Sequence, residues 1–150
     1  GMRGTTSFED VKTDAALAVG ALKKTARYKR DKKFVKSMIK KTTGKKIILA
    51  GHSLAGTIVS ELSREFGLEV WSYNAGAGPK ENLRAKVESV ACVLKPNGKR
   101  CKKTKLINAE RTIADPVSIL GKNHPNTKTI VPNKLNIHSI SNWIPDSKKD

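Results

Sequence analysis

Three residues of this chain carry side chains that could together perform acyl transfer: Ser53, Asp115 and His138, in that order. A serine hydroxyl is a weak nucleophile at neutral pH. It needs an imidazole to take its proton and a carboxylate to hold that imidazole in the right tautomer. Ser53 stands in Ile47-Ile48-Leu49-Ala50-Gly51-His52-Ser53-Leu54-Ala55-Gly56: four apolar residues, a glycine, and a serine two positions later. A helical pattern begins at once. The order is strand, sharp turn, helix, with the serine at the tip. Backbone strain and close neighbours at such a tip exclude bulky Cβ substituents two positions to either side, and those positions hold Gly51 and Ala55. The alternative is an ordinary strand-to-helix turn in which Ser53 only caps the helix.

Asp115 is the one aspartate between Ser53 and the last histidine. It lies in Ala114-Asp115-Pro116-Val117, a loop after a strand pattern, where an orienting acid should stand, and Pro116 disfavours helix at the residue before it. A turn or capping role is the competing reading, and Glu110 is the reserve acid. Of the histidines downstream, His124 sits in a polar loop and reads as a surface residue. His138, in Leu135-Asn136-Ile137-His138-Ser139-Ile140, suits a base delivered late in the chain, against the alternative of a buried core histidine. His52 adjoins the nucleophile but should point elsewhere. Acyl transfer also needs donors aimed at the developing oxyanion. One is the backbone N–H of Leu54; Arg3-Gly4-Thr5-Thr6-Ser7 is a source for the second, with Thr5 offering both N–H and hydroxyl.

The elements that must position these groups follow from periodicity. Ser7-Phe8-Glu9-Asp10 fits a capping box opening a helix through Val11, Ala15 and Leu22 to Ala26. Residues 31–42 read as a short amphipathic helix with Phe34, Val35, Met38 and Ile39 on one face, ended by Gly44. Ile58, Leu62 and Phe66 mark a buried stripe on the helix after Ser53, with Gly67 past its end. Leu68–Tyr73, Lys105–Asn108 and Thr127–Val131 read as strands, and Asn74–Pro79 as loop. Cys92 and Cys101 flank Lys95-Pro96-Asn97-Gly98-Lys99, which reads as a hairpin turn. Closed on Asn97-Gly98, the hairpin puts Leu94 opposite Cys101; closed one residue earlier, it pairs the two cysteines. Strands alternating with helices imply one α/β domain over residues 1–150 with a largely parallel sheet, whose chemistry gathers at the carboxyl ends of the strands.

The net charge of +17 over 150 residues is extreme and clustered. Twelve cations between Lys23 and Lys46 face a single acid, Asp31, and a second patch runs from Lys95 to Lys105. Such a field attracts an anionic membrane surface or nucleic acid, although the scarce aromatics are not interleaved with the cations as base stacking would require. A solvated basic face is the plainer reading. No apolar run approaches a membrane span and no signal-peptide pattern is present, so the chain reads as soluble, in a compartment the sequence does not name. The cysteine spacing is not that of a zinc site.

Taken together, these segments resemble the class 3 (fungal-type) lipases of the α/β-hydrolase superfamily. Arg3-Gly4-Thr5 is similar to the family's F-R-G-[ST] oxyanion segment, with Asp10 and Asp14 in place of its following acids. Gly51–Gly56 is similar to G-H-S-L-G-G, Tyr73-Asn74-Ala75 to its [TS]-[FY]-[GN] strand end, Asp115-Pro116-Val117 to D-P-V, and His138 to the terminal histidine. The resemblance runs from Arg3 to about His138. It implies an α/β-hydrolase-like fold and a serine hydrolase of carboxylic esters, plausibly lipids, with Ser53, Asp115 and His138 catalytic, Thr5 and Leu54 at the oxyanion, and no metal or cofactor. Three departures stand out. Ala55 replaces a glycine of the elbow. Met2 replaces the phenylalanine, and the apolar strand before it is missing, as in a late coding start or an excised or degenerate domain. The segment Thr6–Leu17, in the place of the lid, is poor in large apolar residues. The alternative function is a lipase-fold binding or structural protein that has lost catalysis and works through its basic surface.

Overall fold

The computed structural model describes residues 22–76, 79–115, 127–132 and 138. Four strands, β1 (Ile48–His52), β2 (Glu69–Tyr73), β3 (Ile107–Thr112) and β4 (Thr127–Ile130), form an all-parallel sheet in chain order. Helices α1 (Ala26–Lys41), α2 (Leu54–Phe66), α3 (Pro79–Leu94) and α4 (Lys99–Thr104) flank it. The α/β architecture expected from alternating signals is therefore present, with all four strands running the same way. The register pairs His52 with Tyr73 and Tyr73 with Glu110. Ser53 and Asn74 thus leave the sheet at one edge, and Asp115 follows three residues after the end of β3.

Local chemistry accounts for the elements. α1 is capped by Thr25, whose Oγ1 accepts the Tyr28 N–H at 3.2 Å, so the helix starts five residues before the expected position. It buries Tyr28 and Val35, while Phe34, expected on the buried face, is exposed. One turn further along, Ile39 packs on the core. α2 carries the densest core face, Ile58, Val59 and Leu62, against Leu49 of β1, Val70 of β2 and Ile107 of β3. It ends on Gly67 at φ 69°, the left-handed residue that glycine supplies without strain.

The segment between β2 and β3 departs from the sequence reading. No hairpin forms: Lys95–Gly98 joins helices α3 and α4, and Cys92 is bonded to Cys101 across that joint. Pro-Asn-Gly ends a helix as readily as it turns a hairpin, because it lacks an N–H and tolerates unusual φ in either setting.

Charge binds α2 to its neighbours. Glu61 is almost fully buried and accepts from Arg84 (2.5 Å), Lys23 (3.2 Å) and Arg64 (3.3 Å), and Arg64 also clasps Glu88 of α3 at 2.8 and 3.1 Å. Burial alone would raise the Glu61 pKa; the three cations overcome it and hold the carboxyl below its usual 4.5. The basic tract is partly spent in the same way: Arg27 and Arg30 reach Asp31, Lys32 reaches Glu65, and Lys46 lies 2.7 Å from Glu69. No described helix is long and apolar enough to cross a membrane.

Candidate active site

The turn between β1 and α2 is strained where the sequence placed the nucleophile. Ser53 adopts φ 57°, ψ −128°, a conformation costing an L residue about 1–3 kcal/mol. Both flanks enforce it: the Ser53 N–H donates to the Tyr73 carbonyl at 3.0 Å, and the Ser53 carbonyl accepts from Thr57 at 3.2 Å. The reading of Ser53 as a mere cap fails, because its side chain makes no capping bond to α2. The hydroxyl is buried and has no hydrogen-bond partner among the described residues, so it is not spent on structure.

Close packing explains the small residues around it. A Cβ on Gly51 would lie 2.5 Å from the Ala55 carbonyl oxygen, a distance only glycine can serve. At Gly56 a Cβ would sit 3.0 Å from the Ala75 methyl, so this glycine is the second tight position. Ala55 is itself fully buried with its methyl in place. The N-terminal amides of α2, that of Leu54 among them, have no acceptor within the helix, and they begin directly after Ser53.

Asp115 is completely buried, after a turn in which Ala114 takes φ 59°. Its Oδ1 accepts a hydrogen bond from Nδ1 of His138 at 2.8 Å. An ionised carboxylate can only accept, so Nδ1 carries the proton. In the neutral ring that leaves Nε2 as the basic atom. The acid and base chosen by chain order are therefore joined, and Glu110, the reserve acid, stays in β3 with its carbonyl accepting from Asn74 at 2.8 Å.

Two residues of this edge escaped the sequence reading of function. Asn74 is buried at φ 43°, and its Oδ1 accepts from the Thr112 N–H at 2.8 Å and the Thr112 hydroxyl at 3.3 Å. It fastens the end of β3, and with it the approach to Asp115, onto β2. Its signals in the sequence are a polar residue directly after a strand and the likeness of Tyr73-Asn74-Ala75 to a strand-end motif. His52 donates from Nε2 to the His138 carbonyl at 2.5 Å, with the two rings 4.8 Å apart and tilted by 47°. A carbonyl cannot donate, which fixes the tautomer of His52 and commits its Nε2 to holding His138. Burial lowers its pKa below 6.5, although the bond to His138 and the charge of Asp115 act the other way. His52 Nε2 is thus occupied by the backbone of His138. Thr5, with the rest of Arg3–Ser7, and His124 lie outside the described residues.

Fold and site define an α/β protein with a parallel four-stranded sheet and a His138–Asp115 pair at its carboxyl edge. No hydrogen bond joins Ser53 Oγ to His138 Nε2, although both atoms are buried. Comparison of the chain with family models, with curated proteins and with solved structures finds no match. Function is therefore argued from the site.

Proposed function

We propose that this chain is an α/β-hydrolase-like serine hydrolase of carboxylic esters, lipid esters among them, similar in its site to the class 3 lipases. The single observation that carries this reading is the 2.8 Å bond between His138 Nδ1 and Asp115, beside a serine held at positive φ with its hydroxyl unused. Ser53 Oγ attacks the ester carbonyl carbon as its proton passes to His138 Nε2. The oxyanion is stabilised by the Leu54 N–H and by Thr5, the second donor the sequence offers. Collapse breaks the bond to the alcohol, which leaves with the proton from His138. Water then repeats the sequence on the acyl-enzyme: His138 takes its proton, the acyl–Oγ bond breaks, Oγ is reprotonated, and the carboxylic acid departs. Asp115 keeps the imidazole in one tautomer throughout.

Turnover of a p-nitrophenyl ester tests this directly. Wild type should hydrolyse it and Ser53→Ala should not, with the fold unchanged by circular dichroism. Turnover that survives Ser53→Ala removes Ser53 from the mechanism. A folded wild type with no turnover favours the second reading, a lipase-fold binding protein without catalysis, which the lack of a hydrogen bond between Ser53 Oγ and His138 Nε2 also supports.

A further inference from the structure

Helix α3 has an inner face that the fold uses and an apolar outer face that it does not. Ala85 and Glu88 are buried, Glu88 is held by Arg64, and Cys92 is bridged to Cys101. About 180° round the helix, Leu83, Val87, Val90 and Leu94 repeat at the 3–4 spacing that stacks side chains into one stripe. These four, with Val93 beside them, are between 45% and 80% exposed. The stripe runs ~17 Å along the helix. Single exposed apolar residues are ordinary, but a continuous stripe on a regular helix marks a contact surface.

The rim decides what the contact is. At 100° per residue Lys80 and Lys86 fall on either side of the stripe, and both are exposed. At its end Leu94 and Ala91 join Lys95, Lys99 and Arg100 in lining a surface pocket of about 320 Å³. Of the two acids on these helices, Glu81 and Glu88, seven positions or about two turns apart, Glu88 turns inward. A second copy of the chain would bring this cationic rim against itself. Nucleic acid would answer the charge and leave the apolar stripe in water. An anionic bilayer answers both, with apolar side chains at the acyl boundary and lysines at the phosphates.

We propose that the outer face of α3, with the Leu94–Arg100 corner, is a docking surface for anionic lipid membranes on which the helix lies in the plane of the interface. It is a different surface from the lysines of α1, and it goes beyond the ester chemistry at Ser53. Co-sedimentation of the full chain with vesicles tests it, using phosphatidylcholine alone and phosphatidylcholine mixed with phosphatidylglycerol. The chain should bind the mixed vesicles, and Leu83→Ser with Leu94→Ser should weaken that binding by about tenfold or more. Lys80→Glu with Lys86→Glu should weaken it more than Lys33→Glu with Lys36→Glu on α1. Because the serine pair could disturb folding, Val90→Trp supplies a second readout: its emission should shift to shorter wavelength on the mixed vesicles. Equal binding by wild type and the serine pair, or an unshifted Val90→Trp spectrum at saturating lipid, overturns the proposal. So does a dimer in sedimentation that the serine pair dissociates, which would make the occupant a second copy. Vesicle sedimentation reads no hydrolysis, so its failure is distinct from failure of the ester assay.

Discussion

At the carboxyl edge of the sheet, Ser53, Asn74 and Asp115 are buried, and Ser53, Asn74 and Ala114 hold positive φ. On the α3–α4 arm the backbone is regular, and one helix leaves five apolar side chains in solvent. The two regions use free energy in opposite ways. The edge stores strain that the surrounding hydrogen bonds must hold, and what it gains is position: a hydroxyl, an imidazole and a carboxylate in fixed places. The arm stores no strain and fixes no side chain on its outer face; it gains surface. Substitution should therefore read as lost chemistry or stability in the first region, and as lost association in the second.

The widest separation should come from His138, the proposed base. His138→Ala is expected to lower kcat on a soluble ester by about 10⁴-fold, while His124→Ala and Leu83→Ser leave it unchanged. A comparable loss at His124 would transfer the role of base to that residue. Next comes packing. Gly51→Ala places a methyl 2.5 Å from the Ala55 carbonyl oxygen and should cost about 3 kcal/mol in urea denaturation. Val90→Ala on the arm should stay within about 0.5 kcal/mol. Equal costs would show that the elbow has slack the structure does not display.

Covalent closure sits between these. Cys92→Ser opens the bridge to Cys101, nine residues on, and should cost about 2 kcal/mol by the chain entropy of a short loop, with no change in kcat.

Smaller again is the acid response of the carboxylate that ties the two regions together. The folded-state pKa of Glu61 is held below 4.5 and that of His52 below 6.5. In both cases the unfolded chain binds the proton more readily, so stability falls as pH drops, first from about 6.5 and then from about 4.5. Glu61→Gln should flatten the lower part of the curve and leave the upper part, as read by urea midpoints across pH. An unchanged lower slope would remove Glu61 as its source.

How much could be read beforehand follows the same division. Gly51 and Ser53 were legible because a tight turn permits few residue types, so local sequence and three-dimensional demand coincide. Asp115 and His138 were legible through chain order, as the remaining acid and a late histidine. Gly67 announced the end of α2 for the same steric reason. The arm was not legible. Lys95-Pro96-Asn97-Gly98 serves a hairpin or a helix–helix joint, and only the partners of Ala85 and Glu88 decide between them. Phe34 was misplaced because a helical stripe names neighbours in projection and does not say how far the core extends around the helix. Asn74 and His52 were missed because their work is a hydrogen bond to a residue 38 and 86 positions away.

The central claim is that Ser53 is a nucleophile served by His138 and Asp115, and a fluorophosphonate probe followed by peptide mass spectrometry tests it most directly. Wild type should be labelled at Ser53 alone, His138→Ala should label far more slowly, and Ser53→Ala should not label. Labelling at another residue, or a folded wild type that the probe leaves untouched, would contradict it.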